Sequence, residues 1–290
     1  MKFACMVALV TPMHENGQVD YSALTVLLDW HLESGTEAIV ILGTTGESPT
    51  LSHEERTAII KATVTQVSHR IPIFVGTGTY DTRSTIELSQ EAEMLGADGL
   101  LIINPYYNKP TQKGLFLHFK AVNDAVKIPI IIYNHPGRTG GCLDEETIHQ
   151  LSQLKNILGL KEVSGDMKRI ANIRATCSPS FLLWSGCDDN ILDFIKAGGH
   201  GVISVTANIV PALMRQLTQY TLAQQWVEAR NLQEKLMPLH DATCIETNPI
   251  PVKYALYLMK KIPIGIRLPL TVLEKNHQIT LENVLRTFSL

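Results

Sequence analysis

The chain has 290 residues, of which 45% are hydrophobic and 18% charged, with a formal net charge of −3. This is an ordinary globular balance, long enough for one large domain and a smaller one. A charge this close to zero leaves no electrostatic footprint for nucleic acid or an anionic membrane, and no apolar run is long enough to cross a bilayer.

Taken in order, short apolar runs alternate with helix-like stretches. Residues 4–10 read as a strand ended by Thr11-Pro12. Asp20 then caps an amphipathic stretch with Leu24, Leu27, Leu28 and Leu32 at helical spacing, stopped at Gly35. Further strands are predicted at 38–42, 71–75, 99–103, 129–133, 157–161, 181–184 and 201–205. Helices are predicted between them at 53–69, 83–95, 114–126, 144–154, 167–177 and 191–197. The strands are continuous apolar runs, as expected of parallel strands buried on both faces. Eight strand–helix units predict an α/β fold, a closed (β/α)8 TIM barrel. The runner-up is an open doubly wound sheet, but no GxGxxG follows the first strand. After Pro211 the pattern becomes helical, at 212–220, 225–236, 251–260 and 274–288, punctuated by Pro238, Pro249, Pro251 and Pro263. The expected division is a catalytic barrel over 1–222 and a small helical C-terminal region over 223–290.

Cys5, Cys142, Cys177, Cys187 and Cys244 are scattered, with no CxxC pair. They suggest neither a disulfide framework nor a zinc site, and read as reduced thiols of a cytoplasmic protein. The opening MKFACMVALVTP lacks the length and cleavage pattern of a signal peptide.

In a barrel the chemistry sits on the loops at the strands' C-terminal ends. The polar and glycine-rich segments fall there: Gly43 to Glu47 after strand two, Tyr106 and Tyr107 after strand four, Tyr133 to Arg138 after strand five, and Gly186 after strand seven. Lys161 ends strand six, after Ile157, Leu158, Gly159 and Leu160. A lysine at the end of a buried strand is costly, and burial disfavours its ammonium form. The freed amine can attack a ketone and form a Schiff base. Alternatively it snorkels to solvent or pairs with Glu162. A further alternative is a barrel that binds a small metabolite without catalysis.

The motifs ALVTP (8–12), GTTGES (43–48), GTG (76–78), PYYNKP (105–110), YNHPGRTG (133–140), GLKEVSGD (159–166), GGHGVISVTAN (198–208) and NPIPVK (248–253) occur in order along the whole chain. In these the chain resembles the dihydrodipicolinate synthase/N-acetylneuraminate lyase family. His135 departs from the aliphatic residue expected there. The resemblance implies a pyruvate imine on Lys161 and a proton relay through Tyr133, Thr44 and Tyr107. Tyr107 would come from a neighbouring subunit of a tight dimer, and a homotetramer is expected as a dimer of such dimers. Thr45 would hold the pyruvate carboxylate, with Ile203 and Gly186 at the same site, and Arg138 would grip the carboxylate of aspartate 4-semialdehyde. Arg138 and Thr44 favour this condensation over the sugar-acid lyases. No metal or organic cofactor is called for, because the imine is the electron sink. The family's lysine-inhibition site maps to Ser48, Pro49, His53, Arg56, Tyr80, Ser84 and Tyr106. Arg56, Tyr80 and Ser84 depart from the lysine-sensitive pattern of histidine, asparagine and glutamate. Weak or absent feedback inhibition by lysine is therefore expected.

Overall fold

The protein is described by a computed structural model covering residues 3–290. Among these, eight strands pair in parallel, each with the next, and the last returns to the first to close a barrel. They are β1 (Cys5–Ala8), β2 (Ala38–Ile41), β3 (Ile73–Gly76), β4 (Gly99–Ile103), β5 (Ile130–Asn134), β6 (Ile157–Glu162), β7 (Leu182–Ser185) and β8 (Gly201–Ser204). Helices α1 (Tyr21–Glu33), α2 (His53–Val67), α3 (Thr82–Met94), α4 (Gln112–Ala125), α5 (Pro136–Thr139), α6 (Glu145–Ser152), α7 (Met167–Thr176), α8 (Ile191–Lys196) and α9 (Pro211–Leu222) lie between and after the strands. Beyond them come α10 (Trp226–Thr243), α11 (Ile250–Leu258) and α12 (Lys275–Thr287). The predicted (β/α)8 barrel with a helical C-terminal region is the fold observed.

Side chains alternate across each strand, so the barrel has two apolar layers. Inside it, Met6, Ala8, Ala38, Val40, Phe74, Leu101, Ile131, Tyr133, Trp184 and Ile203 form one cluster with Phe3. Outside it, Val7, Ile39, Val75, Leu100, Ile132, Leu160 and Val202 pack with the helices into the larger core, which Leu239, Val252 and Leu281 of the C-terminal helices join. Phe3 closes the end of the interior: its ring stacks on Trp184 at 6.0 Å and meets Phe74 edge-on at 5.4 Å. The Trp184 indole donates to the Phe3 carbonyl at 3.1 Å.

Local rules account for most element ends. Asp20 caps α1 as predicted, accepting from the Ala23 amide at 2.9 Å. The helix predicted to stop before Pro238 instead runs on to Thr243. Proline removes one i→i−4 bond, but the next turn buries Leu239, His240, Ala242 and Thr243, and His240 Nδ1 lies 2.9 Å from Thr206 Oγ1. Burial and that tertiary bond outweigh the missing donor.

The seam between β8 and β1 allows no side chain at Gly201, where an added Cβ would lie 1.8 Å from the Ala4 carbonyl oxygen. That same carbonyl accepts the Val202 amide at 2.7 Å. Gly201→Ala is therefore expected to spread the closing strand pair and cost about 1–3 kcal/mol, the usual range for overpacking. Chemical denaturation measures it, and a stability equal to the parent's would contradict the fit described.

Candidate active site

Lys161 and Tyr133 are direct cross-strand partners in the pairing of β5 with β6, and Asn134 pairs with Glu162 in the next position. Alternation sends the first pair into the barrel and the second outward. Outside, Glu162 accepts from Asn134 Nδ2 at 2.9 Å and from the Val163 and Ser164 amides, both at 2.9 Å, and meets Arg169 Nε at 3.2 Å. Its carboxylate is thus fully engaged on the far side of the strand. The alternative pairing of Lys161 with Glu162 is excluded by this geometry.

Lys161 also does not snorkel: it is 6% exposed, with Nζ 4.3 Å from the centre of the Tyr133 ring. Burial pushes its ammonium pKa down to about 8, helped by the positive charge of Arg138 and opposed by Cys187 and Asp188. Burial also pushes the Tyr133 phenol up to about 12, against the lowering effects of Arg138 and the Thr44 hydroxyl. Thr44 is thus close enough to act on the phenol, although among the described residues the pair forms no hydrogen bond of ordinary geometry.

One cavity of about 360 Å³ opens over Lys161, lined by Thr44, Thr45, Tyr133, His135, Arg138, Gly186, Cys187 and Asp188, with Asn248 from the C-terminal region. Gly186 is required by the lysine itself: a Cβ there would lie 2.8 Å from Lys161 Cε and 2.5 Å from Val163 Cγ2. Thr45 is buried, and its Oγ1 accepts from Asn248 Nδ2 at 3.0 Å. Arg138 stands on α5, a single turn begun by Pro136 and ended by Gly140 at φ +67°, whose amide returns to the Pro136 carbonyl at 2.9 Å. Its guanidinium is exposed at the cavity mouth, 3.4 Å from the Asn248 carbonyl. Ile203 is fully buried in the interior cluster with Tyr133 and Trp184, and its side chain is not part of the cavity wall.

His135 meets Tyr133 edge-on at 5.8 Å, and burial together with Arg138 and Lys161 holds its pKa down at about 4, so the ring is neutral near pH 7. Tyr107 stands apart from these groups. It is 91% exposed, at φ +73°, and lines neither this cavity nor its neighbour.

A second cavity adjoins the first and shares Gly43, Thr44, Leu101, Tyr133, Arg138 and Asn248 with it. Ser48, Pro49 and Tyr106 line this second space. His53, Arg56, Tyr80 and Ser84 do not line it and are engaged elsewhere. Arg56 Nη2 donates to the Gly76 carbonyl at 2.7 Å, and Ser84 Oγ to Asp81 Oδ2 at 2.7 Å. His53 Nδ1 is 3.5 Å from Glu91, and the Tyr80 ring meets Tyr106 edge-on at 5.6 Å.

Residues 2–288 match the dihydrodipicolinate synthetase family. The chain belongs to that family. A 4-hydroxy-tetrahydrodipicolinate synthase of Saccharophagus degradans is 49% identical over 285 residues, 98% of each chain. One from Coxiella burnetii is 50% identical over 272 residues, 94% of this chain and 93% of that one. Among solved structures, dihydrodipicolinate synthase from Aquifex aeolicus aligns with a TM-score of 0.98 at 41% identity, covering 100% of this chain and 99% of that one. The chloride-inhibited synthase of Acinetobacter baumannii, solved in complex with pyruvate, aligns with a TM-score of 0.97 at 44% identity, covering 99% and 98%. The family expectation from the sequence motifs therefore stands.

Three residues of the site escaped the motif analysis as individual contributors. Asn248 joins Thr45 and Arg138 from the opposite end of the chain, Glu47 is buried and bonded to Lys253, and Asp188 lends negative charge to Lys161. Asp188 Oδ2 also accepts the Val205 and Thr206 amides at 3.0 and 2.8 Å, fastening the end of β7 to that of β8. Glu47 and Asn248 lie within the motifs GTTGES and NPIPVK, but nothing local told their individual roles; Asp188 lies two residues after Gly186.

A lysine with a pKa of about 8 is neutral in about one molecule in ten at pH 7, against about one in three thousand for an unperturbed lysine near 10.5. The rate of imine formation with a small 2-oxo acid is expected to climb with pH, reach half its maximum near 8, and level off above it. A stopped-flow pH series measures this. A rate still climbing tenfold per unit between pH 9 and 10 would show that Lys161 titrates as an ordinary lysine.

Proposed function

We propose that this chain condenses pyruvate with L-aspartate 4-semialdehyde, through a Schiff base on Lys161, to give 4-hydroxy-tetrahydrodipicolinate. The reaction is the first committed step of lysine and diaminopimelate biosynthesis. The observation that carries the reading is the buried Lys161 amine, its pKa lowered, in one cavity with Tyr133, Thr44, Thr45 and Arg138. Membership of the synthetase family supports it.

The Lys161 amine adds to the pyruvate ketone and water leaves, giving a protonated imine. That cation withdraws electrons, so a methyl proton departs and an enamine forms. The enamine carbon attacks the semialdehyde's aldehyde carbon. The semialdehyde's own amine then adds to the imine carbon and expels Lys161, closing the ring. Tyr133, with its phenol pushed to about 12, acts in the relay as a neutral hydroxyl that accepts and passes on protons. Thr44 is the next member, and Tyr107 of a neighbouring subunit the third. The high exposure of Tyr107 fits a side chain that serves another copy. A tight dimer is therefore the proposed working unit, assembled into a homotetramer in the cytoplasm. Thr45 holds the pyruvate carboxylate, with Gly186 and the Ile203 backbone around the reacting lysine. Arg138 offers a planar guanidinium to the carboxylate of the semialdehyde.

Borohydride reduction in the presence of pyruvate is expected to fix a pyruvate-sized adduct on Lys161, and Lys161→Ala to abolish both adduct and turnover. An unmodified Lys161 peptide would sink the reading. Arg138→Ala is expected to raise the semialdehyde KM by one to two decades, the cost of one charge-assisted hydrogen bond, about 1.5–3 kcal/mol, with the pyruvate KM changed far less. Equal changes in both would remove Arg138 from its assigned role.

Weak or absent inhibition by lysine is part of the proposal. Ser84 brings no charge to meet an ammonium group, and its hydroxyl is committed to Asp81. Arg56 adds a positive charge beside a site that would receive a ligand with two ammonium groups, and Tyr80 fills space against Tyr106. An inhibition curve at subsaturating substrates measures it. Half-inhibition below about 1 mM, or roughly −4 kcal/mol of binding, would show that the three substitutions leave a working site.

A further inference from the structure

We infer that the buried ion pair between Glu47 and Lys253 positions the Thr44–Thr45 segment for pyruvate, so that the C-terminal region sets the geometry of the carboxylate cradle. The inference rests on the function proposed above.

The pair joins two motifs, GTTGES and NPIPVK, that lie 206 residues apart in the chain. Glu47 is 2% exposed and Lys253 3%. Lys253 Nζ donates to Glu47 Oε1, and the second carboxylate oxygen accepts the Arg267 amide at 3.2 Å. Two charges removed from water at this depth are costly, and their mutual attraction offsets that cost only when the geometry is good. Glu47 also sits at φ +55°, a left-handed backbone that glutamate does not favour, and Leu42 at the other end of the segment has φ +56°. Strained residues persist only where their surroundings over-determine them. Here the surroundings are a bond to each end of the same carboxylate.

The strained turn leads directly to the proposed cradle. The Glu47 amide donates to the Thr44 carbonyl at 3.1 Å, closing the turn over Thr45 and Gly46. Asn248, five residues before Lys253, donates to Thr45 Oγ1 at 3.0 Å. The C-terminal segment thus holds the Thr45 side chain directly and the Glu47 end of the turn through the ion pair. Glu47 and Lys253 act through Thr44 and Thr45, as positioning residues.

The test uses the full-length enzyme with Glu47→Gln, Lys253→Met and the double substitution. Each protein is titrated by borohydride trapping of pyruvate, so that only competent sites are counted. In each single variant the pyruvate KM is expected to rise at least tenfold while the semialdehyde KM stays within threefold. The double variant leaves no uncompensated buried charge, and its pyruvate KM is expected to fall between the parent's and the singles'. A pyruvate KM within twofold of the parent in the singles would overturn the inference, as would parallel rises in both KM values. Should a single variant not fold, the double decides: a pyruvate KM at least threefold above the parent's supports positioning, and a smaller change overturns it. Trapping in the parent enzyme separates the two levels. No adduct there defeats the functional reading itself, whereas an adduct with unchanged variants defeats only the positioning role.

Discussion

The two-residue alternation at the end of β6, beyond the register shift near its start, is the constraint on which the site depends. Consecutive residues Lys161 and Glu162 carry opposite charges and would attract each other in any flexible segment. Pairing with β5 holds them on opposite faces of a barrel wall. Glu162 is then satisfied by Asn134, Arg169 and two backbone amides, while the Lys161 amine lies over the Tyr133 ring at the cavity. A one-residue slip would exchange the faces, placing a carboxylate in the interior and the amine among the helices. The in-register Tyr133 and Asn134 of β5 repeat the separation, so reactive groups and supporting groups are divided by the same pleat.

The second level of organisation is long-range. Loops at the ends of parallel strands are not hydrogen-bonded to one another by the barrel itself, so each needs its own fastening. Asp188 fastens the β7 end to the β8 end, and Thr11 Oγ1 fastens the β1 end to the Gly46 carbonyl at 2.7 Å. The C-terminal segment adds Asn248 and Lys253 to the β2 end, and Arg267 joins Glu55 at the start of α2. The helices after the barrel share its outer core and also supply polar contacts to the cavity rim.

Local patterns made much of this legible in the sequence. Continuous apolar runs, helix caps such as Asp20 and glycine stops such as Gly35 define the eight units, since each signal spans only a few residues. Lys161, Tyr133, Thr44, Thr45, Arg138 and Gly186 could be named because they cluster at the ends of those runs, and the cavity gathers all six. Less was visible where partners are distant. Nothing near Glu47 announces Lys253, and nothing near Thr45 announces Asn248, because tertiary pairing leaves no periodicity. Pro238 misled for a related reason: a local helix breaker was outweighed by burial of the following turn, a cost and gain that composition alone does not rank. The orientation of Glu162 follows from alternation, but which strand face became the interior was settled only by closure of the sheet.

The plug of Phe3, Phe74 and Trp184 makes the barrel a one-ended vessel. Under the proposed chemistry reactants reach the Lys161 amine through the cavity that Arg138 and Asn248 line. The first reactant to arrive has to be the one that bonds to the floor, since a second molecule seated above it would bar the way. Departure does not reverse arrival: the two reactants leave as one molecule, after ring closure by the product's own amine has freed Lys161. Under that chemistry the order of arrival would follow from the place of Lys161 in the cavity, with the interior beneath it filled by the cluster that holds Phe3, Phe74 and Trp184.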